Sequence, residues 1–332
     1  MLSVPATFEK VFIAGGRLRS AWRFLLSIPG VFVAFSATQV VLQALPENLK
    51  ARYPGLLSFF LPHLLLLLGL LAVFKVMTTF CDRRPLGSVG LAFHRRWARD
   101  LGLGAMLGAI MILAVAALEW VLRLAHFRVN SLSPGQALSG GTLYILALAT
   151  AATYEELVFR GYPFQRLVEA ITPAGGIVVS SAVFGLVHLG NPYYTWISTA
   201  NTALVGIALS IAYLRTRSLW MPVGIHFGWN FVLGIVIGLP VSGYAFPETL
   251  LQAQVRGAVW LTGAAYGPEG SVLATMAIVG ATIYLLLSKR IYVSEEMREL
   301  LMGPSPTAPS SNTPGALGAT VEHAPENQGR RA

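Results

Sequence analysis

The sequence is short of two things that most chains of its length carry in quantity. It has one cysteine, Cys81. A single thiol excludes an intramolecular disulfide and any cysteine-rich metal site. Charge is scarce too: 12% of the 332 residues are Asp, Glu, Lys or Arg, about half the ~25% usual in a soluble domain. Apolar residues take the space, at 55% of the chain with a mean hydropathy of +0.62. These values exclude a soluble α/β protein and specify an all-α polytopic membrane protein. Also missing are an internal repeat, the paired broken helices of many transporters and the H-E-x-x-H pattern of helical zinc sites.

Acids are the rarer charge, 15 against 24 basic residues, giving a net charge of +9. The basic residues do not form a stripe for nucleic acid. They gather between apolar runs, at 10–23, 83–99, 215–217 and 289–290, while the alternate connections hold only Lys50, Arg52, Arg123, Arg128 and Arg256. That is the positive-inside bias of an N-in, C-in membrane protein. Eight apolar runs are long enough to span: 24–45, 56–80, 101–122, 141–168, 175–190, 195–213, 219–239 and 271–288. The expected organisation is a basic cytoplasmic lead-in over 1–23, a helical membrane domain over 24–290, and a cytoplasmic tail over 291–332, disordered from about 303, where Pro, Ser, Thr, Asn and Gly replace apolar residues. No cleavable signal peptide is expected, because basic residues precede a first run long enough to span. Two connections invite local readings: a short interfacial helix over Leu91–Trp97, and a short helix near Leu250–Arg256 in the long segment 240–270. Gly104/Gly108 and Gly234/Gly238 have the four-residue spacing of close helix packing.

Against this background one stretch stands out, Tyr154-Glu155-Glu156-Leu157-Val158-Phe159-Arg160 in the fourth span. An ionised residue at mid-bilayer costs roughly 3 kcal/mol on translocon scales, so three within six positions need a reason. Glu156 and Arg160 lie i, i+4 on one helix face and neutralise each other as a pair. Glu155, about 100° around the helix, is left over. Two further spans carry polar groups at depth: His188 in the fifth, and His226 with Asn230, again i, i+4, in the seventh. At 1.5 Å of rise per residue, Glu155, His188 and Asn230 reach roughly 20 Å from the inner boundary and His226 roughly 14 Å, one layer approached from the cytoplasmic side. A carboxylate beside an imidazole activates water, and a second imidazole and an amide donate to an oxyanion. The same set, Glu155, His188 and His226, has the chemistry to hold a divalent metal such as zinc, and the residues alone leave both routes open.

Glu-Glu-x-x-x-Arg, Phe-x-x-x-His and His-x-x-x-Asn, in this order on successive membrane helices, resemble the CPBP family. These are the CAAX prenyl protease and bacteriocin-processing (Abi) intramembrane proteases, including the type II CAAX prenyl endopeptidases. The likeness covers about 80–290, with its signature in 150–235. It implies an intramembrane endopeptidase acting on a membrane-embedded or lipidated peptide in the bilayer. It further implies that Glu155 and His188 activate water, that His226 and Asn230 support the oxyanion, and that Glu156 and Arg160 play supporting parts. Family members have been described both as metalloproteases and as metal-independent glutamate proteases, so the likeness leaves the metal open. With a composition rich in Ala, Gly and Arg, it suggests a multi-pass protein of a bacterial inner (plasma) membrane. Two rivals remain at this level: a non-proteolytic immunity or partner-binding protein on the same fold, and a proton-coupled transporter using the same Glu and His as a relay.

Overall fold

The computed structural model describes residues 11–14 and 16–302, and the expected disorder from 303 lies outside them, as do residues 1–10 of the 1–23 lead-in. Two short strands, β1 (Ile13–Ala14) and β2 (Arg17–Leu18), pair antiparallel before the first long helix. Then come α1 (Ser20–Ala44), α2 (Glu47–Arg52) and α3 (Leu61–Met77), the last flanked by wide π turns at Leu56–Phe60 and Thr78–Asp82. Next are α4 (Trp97–Val121), strand β3 (Ala125–Val129), α5 (Pro134–Arg160), α6 (Tyr162–Ala170), α7 (Pro173–Val187), α8 (Trp196–Thr216) and α9 (Trp220–Phe231). Strand β4 (Leu251–Val255), α10 (Val259–Thr262), α11 (Val272–Leu287) and α12 (Glu295–Met302) complete the described chain.

Among the described residues seven helical stretches are long and apolar enough to cross a membrane, and α11, at 16 residues, is a shorter apolar helix in the place of the eighth expected span. Large apolar side chains on their outer faces, such as Phe32, Val40, Leu68 and Val178, stay exposed, as lipid-facing residues do. The chain is an all-α polytopic membrane protein.

Two helices fix the frame of the site. On α4, a Cβ at Gly104 would lie 2.3 Å from the Met221 carbonyl oxygen, and one at Gly108 would lie 2.1 Å from that of Ile225. On α9, Gly224 and Gly228 meet the Leu101 and Ala105 carbonyls in the same way, at 2.2 and 2.1 Å. Backbone therefore packs on backbone, as small-residue spacing predicts. Residues 226 and 230 lie about 200° around α9 from 224 and 228, so the face that carries His226 and Asn230 points away from α4. The Gly234/Gly238 pair does something else. Gly238 has φ +76° and a Cβ there would lie 2.0 Å from the Leu251 carbonyl, so this pair cradles the segment after α9 instead of a neighbouring helix.

The fourth expected span is two helices. α5 ends at Arg160, Gly161 turns the chain, and α6 restarts with Pro163 in its first turn. A Cβ at Gly161 would lie 2.2 Å from the Leu157 carbonyl. α6 is amphipathic and tied down by Arg166, which pairs with Asp82 at 3.1 Å and Glu169 at 2.9 Å. Arg23 of α1 joins Asp82 from the other side.

Two local expectations need correction. Leu250–Arg256 contains a strand, not a helix: β4 pairs antiparallel with β3 in the register Ala125↔Val255 to Val129↔Leu251. The alternation Leu-Gln-Ala-Gln-Val has the period of two that a strand requires. Leu91–Trp97 is not an interfacial helix either. Leu86–Val89 form a 3-10 turn closed by Gly90 at φ +108°, and the Gly90 carbonyl is held by the Leu219 amide at 2.8 Å. In the first part of the expected tail, ahead of 303, Ile291 and Met297 are buried.

Candidate active site

The two acids of the motif have different surroundings. Glu156 and Arg160 are both fully buried on α5, and Arg160 Nη1 donates to both carboxylate oxygens at 3.1 and 3.2 Å. Arg160 Nη2 donates to the Gly206 carbonyl of α8 at 3.1 Å, and the guanidinium lies 4.4 Å over the Phe184 ring. The expected ion pair is present, and it has a third member: His226 Nδ1 lies 2.9 Å from Glu156 Oε1. That contact fixes the ring of His226 and leaves its Nε2 facing Glu155, whose Oε2 is 3.8 Å away. Oε2 of Glu155 is buried and has no protein hydrogen-bond partner. Its Oε1 receives a long bond of 3.4 Å from the Tyr154 hydroxyl.

His188 sits at the end of α7, where the helix passes into a 3-10 turn, His188–Gly190. Its Nδ1 lies 2.7 Å from the Phe184 carbonyl, so that nitrogen carries the proton and Nε2 is free. Phe184 stands edge-on to both imidazoles, with ring centroids 4.7 Å from His188 and 6.4 Å from His226. His188, His226 and Asn230 line one cavity of about 60 Å³ between α7, α8, α9 and α11, room for a few waters. Glu155 is not on that wall. His226 is the member common to both groups, touching the two acids on one side and the cavity on the other.

The cavity also holds two residues with no motif around them in the sequence, Ser242 and Glu269. Both belong to the segment that the charge bias puts outside. Glu269 Oε1 accepts from Trp229 Nε1 at 3.0 Å, and Oε2 accepts from the Ser242 hydroxyl at 2.9 Å and the Ser242 amide. Burial raises the Glu269 carboxyl above the usual range, and these donors and the nearby His188 partly offset the rise.

Glu155, His188 and His226, the residues with the chemistry to hold a metal, do not converge on one point. Among the described residues no three His, Cys, Asp or Glu side chains converge to hold one ion. His226 Nδ1 is engaged by Glu156, His188 Nδ1 by a carbonyl, and Glu155 contacts His226 while His188 lies on the cavity wall.

Residues 138–232 match the family described as type II CAAX prenyl endopeptidase, Rce1-like. Over 119 residues the chain is 25% identical to "Putative membrane peptidase YdiL" of Bacillus subtilis (strain 168), a stretch covering 36% of this chain and 47% of that protein. The chain thus spans about half the length of that curated relative. No solved structure matches it. Glu155, Glu156, Arg160, His188, His226 and Asn230 all fall within the matched segment, and over that segment the chain is similar to the Rce1-like type II CAAX prenyl endopeptidases.

Proposed function

We propose that the protein is an intramembrane endopeptidase that hydrolyses a peptide bond of a membrane-embedded or lipidated chain, with Glu155 as general base. The observation that carries this reading is the row Glu156, His226, Glu155. A buried carboxylate orients an imidazole, and that imidazole faces a second carboxylate whose Oε2 has no protein partner. A water bonding to two atoms 3.8 Å apart fits ordinary hydrogen-bond lengths of about 2.8 Å to each.

In this reading Glu155 takes a proton from the water held between Oε2 and His226 Nε2. The hydroxide oxygen bonds to the carbonyl carbon, and the carbonyl electron pair moves to oxygen. The Asn230 amide donates to that oxyanion. Collapse breaks the C–N bond, and the proton on Glu155 passes to the leaving nitrogen. The family resemblance pairs His188 with Glu155, but the imidazole in contact with Glu155 is that of His226. His188, with Nε2 free on the cavity wall, is assigned to steering the proton toward the leaving amine. No step needs a group beyond these residues and water.

The test is cleavage of prenylated and transmembrane model peptides by the purified full chain in detergent. Glu155→Ala, His226→Ala and Asn230→Ala should each lower kcat by 10² or more, the usual cost of losing one general acid–base or oxyanion group. Full turnover by Glu155→Ala would sink the assignment.

A further inference from the structure

Glu269 lies outside the family-matched segment and has no part in the steps above. It is nevertheless the one carboxylate on the cavity wall, and no Lys or Arg accompanies it there. A carboxylate at such depth is costly unless something uses its charge.

Holding the loop is not a sufficient use. The backbone at this point is tied separately by Asn201 of α8, whose Nδ2 donates to the Glu269 carbonyl and to the Ser271 carbonyl, both at 2.8 Å. Asn201 is fixed in turn by the Thr275 hydroxyl at 2.7 Å. Further along, Gly263 and Gly267 make backbone approaches that leave no space for a Cβ, at 1.7 Å from the Gly267 carbonyl and 2.1 Å from that of Pro240. The main chain at 269 thus has fixings that do not involve the Glu269 carboxylate.

The donors themselves are unevenly placed. Oε2 is saturated by the Ser242 amide and hydroxyl, and Ser242 adopts the left-handed backbone, φ +48°, in presenting both. Oε1 has only Trp229 Nε1, which leaves it one acceptor position. Glu269 is not fully buried, because part of its surface is cavity wall. Trp229 and Ser242 therefore hold a carboxylate with one acceptor position unfilled on the wall of the cavity that His188 and Asn230 also line.

We infer that Glu269 is a substrate-positioning residue: its Oε1 accepts a hydrogen bond from a backbone N–H of the bound chain, next to the bond presented to His226 and Asn230. An extended peptide carries such donors at every second residue on one edge, and a carboxylate is the strongest protein acceptor for them. The inference rests on the peptidase reading for its ligand class.

The experiment uses the full chain in detergent and two measurements. The first is turnover of a cleaved membrane peptide and of its versions N-methylated one position at a time around the scissile bond. Glu269→Gln, which keeps size and removes charge, should raise KM at least about tenfold, the scale of a lost bond to a charged group, with a far smaller fall in kcat. Glu269→Asp should recover part of that loss. The single N-methyl substitution that raises KM in the parent protein should have no further effect in Glu269→Gln. The second measurement is binding of a non-cleavable reduced-amide peptide to Glu155→Gln, with and without Glu269→Gln, and it needs no turnover. A tenfold weaker affinity without the carboxylate supports the inference even where no peptide is cleaved, an outcome that would sink the peptidase reading alone. Equal affinities with and without Glu269, or an N-methyl effect that persists undiminished in Glu269→Gln, overturn it. If Glu269→Gln does not purify as a monodisperse protein, Glu269→Asp alone decides, since its retracted carboxylate should still weaken binding several-fold.

Discussion

Nδ1 of His226 lies 2.9 Å from Oε1 of Glu156, and the two residues are 70 positions apart in the chain. The contact changes what Glu156 is. By spacing alone it is half of an i, i+4 pair with Arg160. In the fold it is shared, because one oxygen serves both Arg160 and His226 while the other serves Arg160. The ion pair that neutralises the motif in the membrane thereby also sets the angle of an imidazole.

The shared carboxylate can be separated into its two roles. Glu156→Ala should destabilise the protein by about 3–5 kcal/mol, because it leaves the Arg160 guanidinium buried and unpaired. The double variant Glu156→Leu with Arg160→Met should regain most of that stability, since both charges go together. It should not regain activity, because His226 is still without its orienting group, a loss on the order of 10- to 100-fold. Thermal unfolding in detergent and peptide turnover on the same samples check both halves. Recovery of activity in the double variant would show that Glu156 serves the ion pair only.

Glycine contacts on α4 make a sharper contrast. Gly108→Ala places a methyl 2.1 Å from the Ile225 carbonyl and must push α9 away, whereas Gly102→Ala meets nothing within 4 Å. The first should cost at least the ~1–3 kcal/mol of an overpacked core and lower turnover with it. The second should be neutral or slightly stabilising, given alanine's helix preference of about 1 kcal/mol. Unfolding midpoints of the two variants decide this.

Asn201→Leu should be among the more damaging substitutions of its size. It keeps the volume but leaves the Glu269 and Ser271 carbonyls without their 2.8 Å donor. Each unsatisfied buried group costs about 1–3 kcal/mol, and the loss should appear as faster proteolysis of the 240–270 segment before global unfolding.

His94 makes stability depend on pH from outside the spans. It is buried, with Nε2 3.1 Å from the Ser218 hydroxyl, and burial holds it below its ordinary 6.5, an effect that nearby Asp100 only partly opposes. The unfolded chain then takes up the proton first as pH falls. Stability should be level above about pH 6.5 and decline below it, until the folded-state value is passed. His94→Gln should flatten that limb, as read from unfolding midpoints between about pH 5 and 8.

Much of this fold is legible in the sequence. Charge scarcity and the placement of Lys and Arg specified the membrane fold. The spacings Glu156/Arg160 and His226/Asn230 placed those residues on common helix faces, because helix period is a local property. What was not legible was tertiary. The match of Glu156 with His226 needs two helices brought side by side. Glu269 sits in a Gly- and Pro-rich connection, where an acid ordinarily reads as solvated. The π turns around α3 and the break at Gly161 follow from packing and have no strong local signature. The β3–β4 pair differs: the period-2 alternation of Leu251–Val255 is a local strand signal, and only its pairing with Ala125–Val129 is tertiary.

The glycine seam between α4 and α9 has a mechanical consequence. Side-chain layers between helices can yield, since rotamers rearrange to let one cylinder slide on another. Here peptide groups bear directly on α-carbons, and nothing between them can rearrange. His226 and Asn230 ride on the stiffer half of the molecule, and a chain entering the cavity must be admitted by movement of what faces them: the end of α7, α8, or the segment carrying Ser242 and Glu269.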